Sequence, residues 1–382
     1  MSSDPLSLPT VCQCLELIRS ALWQTAPMWK PFTDTCPKWD HISRMAMEQT
    51  VGPLVVESAL RLPEHLRPPK EWVRKACAMV ERNRRTHRLM DSTVAEVFST
   101  FREAGLSPVL LKGQAYARFY PDPTLRQCGD IDIYVGGEHY RQAYEVAVRS
   151  GWECDDEFLP DAKHYRCTIR GVKTELHMAA ARLVPETADR RFVRWSLAHL
   201  DGSHGSATVG GEAVPVPTPL FDVVFVFTHL LHHYLSGGVG LRQVCDWVML
   251  LHVHAGVIDH RELRQRLEDF GLLRSWQIFT PLAVDILGLP RTECPLYSPR
   301  YLKNAKTILS FIIREGNFGQ CVSLFPCSPR GYLFRKIYSY WCYSRRIYSK
   351  LHTDPAMIIR HHLCFTGSGM LRIFHDLTGK FR

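Results

Sequence analysis

The sequence predicts an α+β protein, in which a small mixed sheet is flanked by N-terminal and C-terminal helical regions. Three observations lead there. Apolar residues recur at helical spacing through the first hundred positions, the pattern switches at Pro108 to short strands and turns, and helical spacing returns from Phe221. At 382 residues the chain exceeds the length at which one core usually stops growing, so two or three packed units are expected. We read them as an N-terminal helical region over 1–105, an α/β core over 106–200, a helical domain over 201–320 and a basic, aromatic, helical tail over 321–382.

In the first region, Leu15, Ile18 and Leu22, then Met45, Met47 and Val51, recur at roughly helical spacing. Glu71 to Phe101 carries a long apolar stripe (Trp72, Ala76, Met79, Val80, Met90, Val94, Val97, Phe98), with Pro68-Pro69 before it and Gly105 after it. Its charged residues, Arg74, Lys75, Glu81, Arg82, Arg84 and Arg85, read as a solvated face.

From Pro108, Val109-Leu110-Leu111 is a short apolar run ending at Lys112-Gly113. A helical segment from Gln114 to Tyr120 follows and is broken by Pro121-Asp122-Pro123. Ile131 to Val135 alternates as a strand, His139 to Ser150 suits an amphipathic helix, and two strands, Tyr165–Ile169 and Val172–His177, flank a tight Arg170-Gly171 turn. The compact part of this unit runs from about Leu106 to Arg182. Gly202 to Pro219, rich in Gly, Ser and Pro, reads as a loop or weak hairpin. Beyond it Phe221, Val224, Phe225, Thr228 and His232, then Val244, Trp247, Val248 and Leu251, fall on helical faces, and helices continue to about Gly316.

Composition sets bounds on function. Hydrophobic residues at 46% and charged residues at 22% are ordinary for a soluble globular chain. The longest uncharged stretch, Val223 to Leu241, holds three histidines and three glycines, so it predicts a buried helix and its turn rather than a membrane span. The N-terminus lacks the basic start and apolar run of a secretory signal. Thirteen cysteines without a CxxC pair suit free thiols in a cytoplasm. Of the net charge of +9, residues 331–382 carry +7, from nine Lys/Arg against two Asp/Glu, which leaves the body nearly neutral.

The chemistry concentrates in Gly129-Asp130-Ile131-Asp132-Ile133-Tyr134-Val135. Side chains alternate along a strand, so Asp130 and Asp132 share one face while Ile131 and Ile133 enter the core. Two neighbouring carboxylates repel, and a divalent cation relieves them; hard oxygen donors suit Mg²⁺ or Mn²⁺. Glu175, in Lys173-Thr174-Glu175-Leu176-His177, is the best third acid, provided its strand pairs beside Ile131–Val135.

The stretch LLKGQAYARFYPDPTLRQCGDIDIYV from Leu110 to Val135, followed by TELH, resembles the uncharacterised bacterial nucleotidyltransferase family of the DNA polymerase beta superfamily. The segments His229-Leu-Leu-His232-His233 and Gly240 to Trp247 extend the likeness. The resemblance implies a polymerase-beta-like core with Asp130, Asp132 and Glu175 as catalytic metal ligands, and Lys112 and Gly113 as a turn facing nucleotide phosphates. Gln114, Arg126 and Gly129 complete the candidate nucleotide-binding set, and His177, His229, His233 and Arg242 form a candidate substrate rim. The sequence departs from the superfamily where Gln114 follows Gly113 in place of Ser or Gly. No GxxxxGK phosphate loop occurs.

Several residues carry two readings. Arg126 binds phosphate or neutralises the aspartates. His177 contacts substrate, acts as a base or orients Glu175; alternatively it is a hydrogen-bonded core histidine. Arg242 and Asp246, four apart, suit a helix ion pair. In the tail, Tyr338, Tyr340, Trp341, Tyr343 and Tyr348 interleave with Arg335, Lys336, Arg345, Arg346 and Lys350. That pattern suits single-stranded RNA, an anionic membrane surface, or a helix packing its aromatics on the body with its basic residues outward. The function expected is Mg²⁺-dependent transfer of a nucleoside monophosphate from NTP, ATP by default, to the hydroxyl of an acceptor that the sequence does not identify. A non-catalytic nucleotide-binding module and an RNA- or tRNA-modifying transferase are the alternatives. The expected location is cytoplasmic, with peripheral membrane attachment as a variant.

Overall fold

One parallel strand pair lies at the heart of the sheet, and antiparallel strands extend it on both sides. The computed structural model describes residues 4–155, 164–179, 183, 185–202, 204–317, 332–364 and 366. The remainder of the expected tail, and the expected end of the α/β unit at Arg182, lie outside those residues. Strands β1 (Val109–Leu110), β2 (Ile131–Tyr134), β3 (Glu153–Cys154), β4 (His164–Ile169) and β5 (Val172–His177) form a mixed sheet in the order β1-β2-β5-β4-β3. Only β2 and β5 run parallel. A separate hairpin, β6 (Gly205–Val209) with β7 (Glu212–Val216), occupies the segment expected as a loop or weak hairpin. The class is α+β, as the sequence predicts.

Local chemistry explains the register. Arg170 and Gly171 both adopt positive φ (53° and 78°), the conformation of a two-residue turn whose twist matches antiparallel strands. That turn sets Ile169 against Val172 and, three pairs on, Arg166 against Glu175. Across the parallel pair, Asp132 lies beside Glu175 and Tyr134 beside His177. Ile131 and Ile133 are fully buried. Removing each from water contributes roughly 1.5–3 kcal/mol, which fixes the opposite face, with the acids, toward the cavity.

The helix Lys70–Glu103 packs on the sheet and on the β6–β7 hairpin through Met90, Val94, Val97, Phe98 and Phe101. It ends in paired bonds from Leu106 N to Phe101 O (2.9 Å) and from Gly105 N to Arg102 O (3.0 Å), with Gly105 at φ 76°. On its outer face, Arg74, Lys75, Arg85 and Arg88 pair with Glu71 and Glu81. This is the solvated face the sequence predicts. Met47, expected to share a face with Met45, is exposed, because residues two apart point in opposing directions on a helix. The helix expected over Gln114 to Tyr120 is one turn, Gln114–Ala117.

Two helices close the far side of the cavity. Pro219–Ser236 is almost wholly buried, and Leu241–Val253 packs against it after a turn through Gly237 to Gly240. Among the described residues, no helix is long and apolar enough to cross a membrane.

Candidate active site

A cavity of about 320 Å³ opens at the acidic face of β2 and β5, within the size range of small-ligand pockets. The strands deliver its acids. Asp130 precedes β2, Asp132 lies within it, and Glu175 stands beside Asp132 on β5, so that carboxylate oxygens of all three lie within 4.8 Å of one another. The condition set by the sequence, that the strand of Glu175 pair beside that of the aspartates, is met.

The two aspartates are electrostatically unlike. Asp132 is only 2% exposed. Its Oδ1 accepts from Lys112 Nζ and His177 Nε2, both at 2.9 Å. Burial opposes its charge, but the Lys112 ammonium and the His177 bond outweigh burial and hold the carboxyl well below its usual range. Asp130 has neither partner. Burial, then the like charge of Asp132, raises its carboxyl above the usual value. Glu175 is held from β4, where Arg166 Nε donates to Oε1 at 3.1 Å and His164 Nε2 lies 3.5 Å from Oε1, while on its own strand His177 Nε2 lies 3.5 Å from Oε2.

Lys112 also donates to His229 Nε2 at 3.1 Å, and His233 Nε2 lies 3.2 Å from that atom. Burial, then the neighbouring ammonium, pushes the His229 imidazole well below its usual value, so it is a neutral acceptor for the lysine. Gly113 sits at φ 63°, and a Cβ there would meet the Asp130 carbonyl oxygen at 3.0 Å. Glycine is therefore what lets the Lys112-Gly113 turn lie against the aspartate strand.

The remaining candidates divide. Arg242 lines the cavity and donates from Nη1 to Gln127 O at 3.0 Å. Arg126 also borders the cavity, but its fork is engaged by Asp246, with Nε–Oδ1 at 2.7 Å and Nη2–Oδ2 at 2.9 Å. The pairing expected between Arg242 and Asp246 is thus replaced: Asp246 is bound bidentately by Arg126 and accepts from Tyr120 OH at 2.8 Å. Gln114 is buried away from the cavity. Its side-chain amide donates to Asp91 Oδ1, and its Oε1 accepts from Cys128 Sγ at 2.7 Å, which pins the Cys128 loop to the long helix. Gly129 does not line the cavity either, and a Cβ there would meet nothing within 4 Å. His177 is buried, and its Nδ1 has no hydrogen-bond partner among the described residues.

Arg166 and Tyr116 line the cavity and His164 lies beside Glu175, none of them singled out in the sequence, while Asp246 is expected there only as the partner of Arg242. Arg166 was findable, since counting back from the Arg170-Gly171 turn places it opposite Glu175. Nothing in the sequence points Asp246, on a helix 120 residues away, toward Arg126.

The donor set fits a hard divalent cation. Three carboxylates converge at a solvent-connected cavity, and the Asp130 carboxyl is raised by burial and then by the like charge of Asp132, which a cation would relieve. His164, Glu175 and His177 form a second group within ligand-bridging distance.

Comparison with known proteins follows the same direction. The family described as Uncharacterised nucleotidyltransferase matches residues 35–288. A search of curated proteins finds no match. Among solved structures, the chain is similar to an antigenic nucleotidyltransferase-like protein from Paracoccidioides brasiliensis, with 13% identity over 56% of this chain and 96% of that one. The TM-score is 0.32, too slight a likeness to bear on the site.

Proposed function

Because the chain belongs to the uncharacterised nucleotidyltransferase family, we propose that it transfers a nucleoside monophosphate from NTP, with ATP the default donor, to an acceptor hydroxyl, in a polymerase-beta-like core. The observation that carries this reading is the convergence of Asp130, Asp132 and Glu175 at the mouth of one cavity.

Those three carboxylates would hold Mg²⁺ or Mn²⁺, which supplies charge neutralisation on phosphate oxygens during an in-line displacement. The chain's own residues do the rest. Lys112, carried on the turn that Gly113 makes possible, offers a point charge to the triphosphate. Neutral His229 accepts from that ammonium, so its reach is directed rather than free. His177 fixes the rotamer of Asp132, and Arg166 fixes that of Glu175. Glu175 would also take the proton of the acceptor hydroxyl as it attacks. Arg242, His229 and His233 also line the cavity and would contact the acceptor or the nucleotide.

The test is an assay with labelled NTPs, Mg²⁺ or Mn²⁺ and fractionated cell extract as the source of acceptor. A labelled product and released pyrophosphate are expected from the native chain and are lost in Asp130→Asn and Asp132→Asn. Undiminished transfer in both variants would remove the mechanism. Mg²⁺-dependent NTP binding without pyrophosphate release from any fraction would favour the non-catalytic module. The RNA-modifying alternative gains little from the tail, because Arg346 and Lys350 are taken up by Glu315 and are not free for phosphates.

A further inference from the structure

The tail helix Tyr332–Tyr348 is inverted relative to the usual surface helix. Two cations turn inward: Arg346 Nη2 bonds Glu315 Oε2 at 2.7 Å, and just beyond the helix Lys350 Nζ bonds the same oxygen at 3.0 Å and also donates to the Tyr234 carbonyl. Its large apolar residues turn outward. Phe334 is 67% exposed, Ile337 56% and Trp341 53%, with Tyr348 also exposed. Steps of three, four and seven residues put these four on one face, with the Arg345 guanidinium 5.6 Å from the Trp341 ring centre. The neighbouring helix, 355–364, is tied on by Tyr343 OH to His361 Nδ1 (2.7 Å) and Ser344 Oγ to His362 Nε2 (2.9 Å). It adds exposed Ile359 and Leu363.

We propose that this outward face docks the protein on an anionic lipid surface. Charge selects the partner. Arg335 and Arg345 are exposed, whereas the one carboxylate in residues 332–366, Asp354, is 1% exposed and paired with Arg274. An apolar face rimmed by cations with aromatic rings at its level is what lies stably at a headgroup boundary. Single-stranded RNA fits less well. Ile337, Ile359 and Leu363 present aliphatic surface on which no base stacks, and two of the cations that would reach phosphates are held by Glu315. A second copy of the chain fits less well too, since self-pairing would bring together tails of net charge +7 over residues 331–382, with no exposed acid among the described residues 332–366 to meet them.

The test is co-sedimentation of the full chain with vesicles of phosphatidylcholine, with or without phosphatidylserine. This readout does not depend on nucleotidyl transfer, so its failure and that of the proposed reaction are distinguishable. The chain is expected to pellet only with the phosphatidylserine vesicles and to release as salt rises. Binding should fall roughly tenfold or more in Phe334→Ser/Trp341→Ser, through lost apolar burial. It should fall about fivefold in Arg345→Gln. Both variants alter exposed side chains and should melt like the native chain. Absence of vesicle binding, or unchanged binding in both variants, overturns the proposal. So does light scattering that shows a dimer dissolved by the double substitution, or RNA binding that the same substitution abolishes while vesicle binding is absent.

Discussion

Lys112 Nζ stands 2.9 Å from Asp132 Oδ1, on a carboxylate that the strand also presents to the cavity. The ammonium and a divalent cation therefore seek the same oxygen, while a triphosphate entering the cavity would seek the ammonium. Lys112→Met should separate these effects. Turnover with NTP should fall about 100-fold, the usual cost of deleting one charge-stabilising group. Affinity for Mn²⁺, titrated by electron paramagnetic resonance, should rise because a competitor is gone. Loss of Mn²⁺ affinity together with turnover would mean that the lysine organises the ligands instead of serving the phosphates.

The two aspartates should respond in opposite directions to the same neutral substitution. Folding lowers the Asp132 carboxyl, so its charge stabilises the native state, and Asp132→Asn strands the Lys112 ammonium near a neutral amide. A loss of roughly 2–4 kcal/mol is expected. Burial and the like charge of Asp132 raise the Asp130 carboxyl on folding, so Asp130→Asn removes a desolvated, repelled charge and should leave stability unchanged or higher by about 1 kcal/mol or less. Thermal melts at neutral pH without added divalent cation decide it. Equal destabilisation of both variants would contradict the asymmetry.

What the sequence revealed of this site is what local chemistry encodes. Alternation along Ile131–Tyr134 separates acids from core, and Arg170-Gly171 can turn only one way, so the hairpin register follows by counting. The adjacency of Asp132 and Glu175 needed one further step, the parallel pairing of β2 with β5, which periodicity alone does not specify. Arg126 illustrates the limit. Both sequence readings gave it an anion near the aspartates, and the anion it found is Asp246, brought in by packing of the helix Leu241–Val253. The tail shows the same limit. The expected helix packs its aromatics on the body with its basic residues outward, an arrangement that Arg335 and Arg345 meet and Arg346 and Lys350 do not, because Glu315, more than thirty residues upstream, draws them in.

The Arg126–Asp246 pair fastens the loop before β2 to the helix behind the cavity, and both groups are buried. Arg126→Met or Asp246→Asn leaves an uncompensated buried charge, for which losses of about 3–5 kcal/mol are typical. The double variant Arg126→Met/Asp246→Asn should recover part of either single loss, since no unpaired charge remains. Denaturant unfolding of the three variants measures this coupling. Additive losses would show that the pair does not interact in the folded chain.

Lys350 provides the pH test. Burial, set against attraction from Glu315, lowers its ammonium from 10.5 to about 8 in the folded chain. Between those values the unfolded chain binds the proton and the folded chain has released it, so this group makes stability rise with pH across that window. The limiting slope for one proton is about 1.4 kcal/mol per pH unit. Other groups titrate there as well, so the quantity to measure is the difference between the native chain and Lys350→Met, by urea unfolding at steps from pH 7 to 10.5. The native chain should gain on the variant as pH rises above 8. Parallel pH profiles would mean that Lys350 keeps its proton in the fold, held by Glu315 despite the burial.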